Sequence, residues 1–230
     1  MVLQYKLGAK NAGTFDVGCA CASFPPLIAI GSGLIATNPA IKTILVIGVD
    51  MIHRLTDPND PCCFLWSDGA GAAVLEGGNL QGFVGAGIPG RRRLCIRLGH
   101  CSRRHLRAGE HGRREGRAYA DASRKGIYPA STKTVGRVHL FKRIALFTAN
   151  DVMFTQISKP SIAIAAERRG VPVEKCHTIM EKYGYTGSAC IPMALDDAIE
   201  LGKLKRGDLV VMISSQLGYS QTAAAVRMTV

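Results

Sequence analysis

The amino-acid sequence predicts an α/β fold in which helices and sheets stack in layers. Three observations predict it. Strand-type apolar runs alternate with helix-type segments along most of the chain, the pattern of layered α/β proteins. The run Thr43–Val49 is continuously apolar and β-branched, as in strands buried on both faces. The 230 residues are 47% hydrophobic but only 6% aromatic, with 26 glycines, so a substantial core has to be built from aliphatic and small side chains that pack closely.

Each element follows from its local pattern. Thr14–Val17 reads as a short strand entering a corner of small residues, Gly18 to Ser23. Leu27–Ile35 reads as the helix after it, with Pro25 and Pro26 in its first turn, where a missing N–H costs little. After the Thr43–Val49 strand, Trp66–Glu76 reads as a glycine turn feeding a second buried strand, and Asn79–Ala86 is expected to pair beside it. Further on, Val138–Phe147 has helical spacing and Asp151–Ile157 is a short strand. Pro160–Arg169 is a helix closed by Gly170. Cys176–Met180 is a strand, Ser188–Leu201 a helix ending at Gly202, and Asp208–Ile213 and Ala223–Val230 are strands.

Cys21 is the residue with the clearest chemistry. It lies at the start of a predicted helix, where the positive end of the helix dipole and free backbone N–H groups favour thiolate over thiol, and a thiolate is a nucleophile. Cys19 is the weaker candidate. Taken alone, both have the plainer reading of small, buried, inert residues. The eight cysteines include no Cys-x-x-Cys pair, so neither a zinc site nor a disulfide framework is indicated. No charged-then-apolar leader is read at the start, and no apolar run is long enough to span a bilayer, so a reducing cytoplasm is the expected compartment.

Four blocks carry a resemblance. They are Phe15-Asp16 with Cys21 and Phe24; Asp68-Gly69-Ala70-Gly71-Ala72; Lys182-Tyr183-Gly184-Tyr185-Thr186 running on to Ile191-Pro192-Met193-Ala194-Leu195; and Lys205-Arg206-Gly207-Asp208-Leu209-Val210-Val211. Their order and spacing resemble the ketoacyl-carrier-protein synthase III family of condensing enzymes, in the thiolase superfamily, over residues 3–90 and roughly 128–230. The resemblance implies a thiolase-like fold layered helix–sheet–helix–sheet–helix, made of two similar halves. It also implies that this chain lacks about a hundred residues of the first half, judged against usual domain sizes. Residues 1–90 are then the remainder of the N-terminal half, 91–127 an irregular segment, and 128–230 the C-terminal half.

In that family a cysteine takes the acyl group, and a His and an Asn donate hydrogen bonds to the thioester carbonyl. Cys21 matches the cysteine. Thr155 falls at the His position and Tyr185 at the Asn position. Each hydroxyl can donate one hydrogen bond, but neither exchanges protons near neutral pH as His does. His177, entering a predicted strand, is weighed as a replacement base against the plainer reading of a supporting residue. Glu181 is expected to be a solvated carboxylate, as are Asp196 and Asp197 on a helix face. Asp68 and its glycines are expected to be structural.

Net charge is +12, and its location matters more than its size. Arg91 to Gly126 holds eleven Arg and one Lys against Glu110, Glu115 and Asp121, a net +9. It has neither a helical nor a strand period. Three readings stand: a solvated insertion, an anion-binding arm, and a shifted reading frame. The third ranks first, because permitted codons for Gly90 to His111, read one base later, give a charge-balanced string similar to what relatives carry there. Aromatic platforms and nucleic-acid modules are absent, so no nucleic-acid partner is expected.

The resemblance implies acyl transfer from a coenzyme A or acyl-carrier-protein thioester to Cys21, then condensation with a second thioester in fatty-acid or polyketide-like biosynthesis. It implies no metal or redox cofactor and no membrane partner, and it implies a homodimer. Lys203, Lys205 and Arg206 are candidates to meet an acidic carrier protein. An acyltransferase without condensation, and an inactive fragment of such an enzyme, stay open beside it.

Overall fold

The computed structural model describes residues 2–61, 63–78, 82–87, 148–216 and 221–229. The predicted helix Val138–Phe147 and the arginine-rich segment 91–127 lie outside the described residues. Helices are α1 (Val2–Lys6), α2 (Phe24–Thr37), α3 (Lys159–Glu167), α4 (Met180–Tyr183) and α5 (Cys190–Glu200). Strands are β1 (Thr43–Met51), β2 (Asp68–Glu76), β3 (Phe83–Gly87), β4 (Asp151–Phe154), β5 (Leu209–Ser215) and β6 (Gln221–Arg227).

The strands form two sheets. β1 and β2 are an antiparallel pair, and β3-β6-β5-β4 is a mixed sheet whose β4–β5 pair is parallel. Alternation along the strands of the mixed sheet sorts its apolar side chains into two cores. Val152, Phe154, Val211, Ile213, Ala223 and Ala225 face α3 through Ile162, Ala165 and Ala166. Met153, Val210, Met212 and Ala224 face the other way, toward Phe24 and Ile28 of α2 and Ile191, Ala194 and Ala198 of α5. α2 touches both sheets, and α5 packs on β2 and β4. The described layers therefore run sheet, helix, sheet, helix, in agreement with the predicted layered α/β class.

Glycine makes the contact between α5 and the β1–β2 sheet possible. A Cβ on Gly48 would stand 2.6 Å from the Ser188 carbonyl oxygen, and one on Gly71 would stand 2.8 Å from Pro192 Cβ. Gly187, with φ +56°, would place a Cβ 2.0 Å from Asp50 Oδ2. The Asp68 glycines are thus structural, as the sequence suggests. The Ser188 hydroxyl donates to the Val49 carbonyl at 2.9 Å, stitching the same contact.

Several sequence-based expectations are corrected. Thr14–Val17 forms no strand; no strand pairs with it among the described residues, and Phe15 is 60% exposed. β1 and β2 are not buried on both faces: Val49 is 59% and Val74 66% exposed, on a face that also carries Leu45. β3 pairs with β6, Phe83 opposite Val226, and not with β2, because the chain leaves the first sheet after Glu76 through Gly77 and Gly78. The segment from Cys176 to Ile179 is not a strand. Two of its backbone groups are held by one side chain: Gln156 Nε2 donates to the His177 carbonyl at 3.1 Å, and Gln156 Oε1 accepts from Ile179 N–H at 2.9 Å.

Asp197 is the remaining correction. Asp196 is exposed, but Asp197 is buried. It accepts from His177 Nε2 at 2.7 Å and from the Lys182 ammonium. Burial opposes its charge, but these two donors outweigh burial and hold its carboxyl below the ordinary range. Asp151, at the start of β4, differs. Burial pushes its carboxyl up to about 6, against the His177 N–H it accepts and the nearby Lys203 charge.

Two predictions follow from this packing. Gly48→Ala lowers stability by about 1–3 kcal/mol through overpacking against a backbone carbonyl. Gly33→Ala, in α2 with nothing within 4 Å of the new methyl, raises it by up to about 1 kcal/mol, both read by thermal unfolding. For Asp151, the folded carboxyl binds its proton more tightly than the unfolded one. Its contribution is therefore present below about pH 4 and is lost as pH rises through about 6. Thermal midpoints of the wild-type protein and Asp151→Asn should lie closest together near pH 4, with the wild type falling behind by pH 7; parallel curves would contradict this.

Candidate functional site

The corner around Cys21 is built by short-range hydrogen bonds. Ala20–Ala22 form a single 3-10 turn leading into α2. Ala22 N–H donates to the Cys19 carbonyl at 2.9 Å and Ser23 N–H to the Ala20 carbonyl at 3.1 Å. The Ser23 hydroxyl closes the loop, accepting from Cys19 N–H at 3.0 Å and donating to the Ala20 carbonyl at 2.7 Å. Ala20 has φ +41°, a left-handed conformation that costs a residue with a Cβ about 1–2 kcal/mol. A strained alanine thus stands immediately before the candidate nucleophile. Pro25 and Pro26 carry no N–H, so the start of α2 offers fewer donors than the sequence argument assumes.

The turn is fastened to the mixed sheet by hydroxyl groups. Ser214 Oγ donates to the Cys21 carbonyl at 2.7 Å, and Thr222 Oγ1 donates to the Ala22 carbonyl at 2.9 Å. Thr155 Oγ1 accepts from Ser215 N–H at 2.8 Å and lies 3.1 Å from Ser214 Oγ. Thr155, Ser214 and Thr222 are all buried. Ser214 was not singled out in the sequence, and residues 217–220 after it lie outside the described residues. The available signal was the change in β5 from an unbroken apolar run to Ser214-Ser215 at its end.

Tyr185 is buried in the same apolar cluster against which Cys21 packs. Its ring lies 5.6 Å from that of Trp66, tilted by 58°. Its backbone makes a parallel bridge to Trp66, with Tyr185 N–H on the Leu65 carbonyl at 2.9 Å and Ser67 N–H on the Tyr185 carbonyl at 3.0 Å. The structure therefore brings Cys21, Thr155 and Tyr185 to one region, Thr155 through Ser214.

The other weighed residues go elsewhere. His177 is buried with both ring nitrogens engaged, Nε2 with Asp197 and Nδ1 with Lys203 Nζ at 3.1 Å. Beside a lysine ammonium Nδ1 accepts, so Nε2 carries the proton that Asp197 receives. With Cys176, Thr178 and Lys203 it lines a cavity of about 260 Å³. Both of its ring nitrogens are thus taken by Asp197 and Lys203. Glu181 is exposed and paired with Lys159 at 2.5 Å. Cys63 is partly exposed, and Cys62 lies outside the described residues.

The thiols separate by environment. Burial pushes Cys176 and Cys190 up to about 12, which makes them inert at neutral pH. Charge on Cys21 contributes to the shift of Cys190. Cys19 and Cys21 are both partly exposed. Among the described residues no group of three or more His, Cys, Asp or Glu side chains is placed to hold a metal ion. No helix among them is long and apolar enough to cross a membrane.

Comparison with known proteins agrees with this geometry. Residues 15–88 match the family described as 3-oxoacyl-[acyl-carrier-protein] synthase III, and residues 148–228 match its C-terminal region. The chain is 34% identical over 236 residues to β-ketoacyl-[acyl-carrier-protein] synthase III of Oceanobacillus iheyensis, covering 98% of this chain and 70% of the relative. It is 32% identical over 238 residues to the enzyme of that name from Syntrophomonas wolfei, with 98% and 70% covered. The crystal structure of 3-oxoacyl-[acyl-carrier-protein] synthase III from Aquifex aeolicus superposes with a TM-score of 0.74 at 26% identity, over 99% of this chain and 71% of that one. The Pseudomonas aeruginosa structure superposes with a TM-score of 0.81 at 24% identity, over 100% and 71%, a likeness of fold. The thiolase-like layering, the Cys21 corner and the two matched regions together place this chain in the 3-oxoacyl-[acyl-carrier-protein] synthase III family.

Proposed function

We propose that Cys21 is the acyl-accepting nucleophile of a condensing acyltransferase of this family. The observation that carries the reading is the turn itself: a partly exposed thiol after a strained Ala20, on a turn hydrogen-bonded to two strands of the opposite half. In the first half-reaction the Cys21 thiolate attacks the thioester carbonyl. The bond from carbonyl carbon to the donor's sulfur breaks, and the donor leaves as a thiolate that takes a proton from solvent. In the second, the carbon freed by loss of carbon dioxide from a malonyl-type thioester attacks the Cys21 thioester and releases the Cys21 thiolate.

The thioester donor is coenzyme A or an acyl carrier protein, and the working form is a homodimer in the cytoplasm. Residues 1–90 and 128–230 act as parts of the two halves of one catalytic unit, and no bound cofactor is required. Lys205 and Arg206 are exposed and suit an acidic carrier protein, whereas the Lys203 ammonium sits beside His177. A specific observation favours a second reading. The Thr155 hydroxyl, at the position the resemblance assigns to the family's His, is engaged with Ser214 and Ser215, and Tyr185 falls at the position the resemblance assigns to its Asn. That arrangement supports acyl transfer better than decarboxylation.

Incubation with a short acyl-coenzyme A should leave one acyl group on the protein, mapped by mass spectrometry to Cys21, retained in Cys19→Ser and absent in Cys21→Ser. An adduct on another cysteine would contradict the assignment. Release of carbon dioxide from a malonyl thioester separates the two readings: release at a rate comparable to acylation supports condensation, and acylation without it supports the simple transferase.

A further inference from the structure

We propose that Ser214 and Thr155 form a one-way hydroxyl relay that positions Cys21, so that Thr155 aims the nucleophile and does not itself donate to substrate. The inference rests on the reading that Cys21 is the nucleophile.

The direction of the relay follows from which atoms can donate. The Cys21 carbonyl oxygen only accepts, so the 2.7 Å contact takes the single proton of the Ser214 hydroxyl. Ser214 Oγ is therefore the acceptor in its 3.1 Å contact with Thr155 Oγ1, and the Thr155 proton points at Ser214. Thr155 Oγ1 in turn accepts the Ser215 N–H at 2.8 Å. The chain runs from the Ser215 amide to Thr155, to Ser214 and to the Cys21 carbonyl, with every proton assigned. The other contact open to Thr155, the Ser215 carbonyl at 3.5 Å, is far longer and weaker. Ser214 is fully buried and Thr155 nearly so, where an unmatched hydroxyl is costly and an ordered chain is correspondingly rigid.

The relay acts on the geometry of the nucleophile through planar peptides. The peptide after Cys21 is fixed at both ends, its N–H on the Cys19 carbonyl and its C=O on Ser214. The next peptide is fixed likewise, its N–H on the Ala20 carbonyl and its C=O on Thr222. With both planes held, the backbone on either side of Ala22 is set, and the position from which the Cys21 side chain leaves the backbone is constrained with it. These holds come from the far half of the molecule, 193 residues away in the case of Ser214. The strained Ala20 is held next to them by its own carbonyl, which accepts from Ser23 N–H and from Ser23 Oγ.

The test is the rate of Cys21 acylation by a short acyl-coenzyme A, followed by intact-protein mass spectrometry across a range of donor concentrations. The variants are Thr155→Val, which keeps the shape and loses the hydroxyl, Thr155→Ser, which keeps the hydroxyl, Ser214→Ala, and the double variant Thr155→Val/Ser214→Ala. The relay predicts that Thr155→Val and Ser214→Ala each lower the limiting rate about tenfold while leaving half-saturation within about twofold. The double variant should be no slower than the worse single one, since the two act as a unit. Thr155→Ser should retain the wild-type rate. A wild-type rate in Thr155→Val, multiplying losses in the double variant, or an equal loss in Thr155→Ser each overturns the relay. Thr155→Val is near-isosteric, so it reads the relay even if Ser214→Ala fails to fold. If the wild-type protein takes no acyl group at Cys21, the functional reading fails by itself. The relay is then judged by iodoacetamide labelling of Cys21 in the same variants, where the same order of rates supports it and equal rates overturn it.

Discussion

Two hydroxyl-to-carbonyl hydrogen bonds, from Ser214 to Cys21 and from Thr222 to Ala22, join the two family-matched regions of this chain at the Cys21 turn. A 3-10 turn of three residues has little stability of its own, and the Cys21 and Ala22 carbonyls find their partners outside it. Left unpaired in a buried position they would each cost on the order of 1–3 kcal/mol. The sheet supplies their partners from the ends of β5 and the start of β6, so the turn exists in this form only when the second half is folded against it. Under the proposed role of Cys21, acylation and folding are coupled through that dependence. A chain with a loosened mixed sheet would keep the Cys21 sequence and lose its geometry.

The same logic appears on the other side of the central layer. α5 approaches the β1–β2 sheet closely enough for Gly48, Gly69 and Gly71 to face Ser188, Thr186 and Pro192 without room for a methyl group. Small residues on the strands let the start of α5 sit low, which brings the Tyr185–Ser188 loop next to the Cys21 turn. Beneath it, Asp197, His177, Lys182 and Lys203 form a charged network in which buried groups are matched by donors and acceptors. Such a network gains little net stability over apolar packing, but it discriminates strongly against misplacement of α5, because breaking it leaves a buried charge alone.

The layers were legible in the sequence because they are written in periodicity. The continuous run of β5 and the glycine-terminated helices α3 and α5 are local signals, and each formed within a few residues of its expected bounds. The corner that carries Cys21 was legible from its small residues ahead of a helix with Pro25 and Pro26 in its first turn, and the Ala20–Ala22 turn leads into α2 there. What could not be read was partnership at a distance. Nothing local tells β3 to leave β2 for β6, or Gln156 to replace a strand beside His177, or Asp197 to turn inward while Asp196 stays out. Thr155 shows the limit most clearly. Its position was identifiable by matching the family, but the direction of its one proton depends on Ser214, 59 residues later. The outer face of β1 and β2 makes a related point: Leu45, Val49 and Val74 have the composition of a buried surface and are exposed among the described residues.

The most direct measurement of the central claim is a crystal structure of the protein after exposure to a short acyl-coenzyme A. The account predicts acyl density on Cys21 Sγ, with the Cys21 carbonyl still accepting from Ser214 and the Ala22 carbonyl from Thr222. A Cys21 carbonyl beyond about 3.5 Å from Ser214 Oγ in the acylated protein would contradict it.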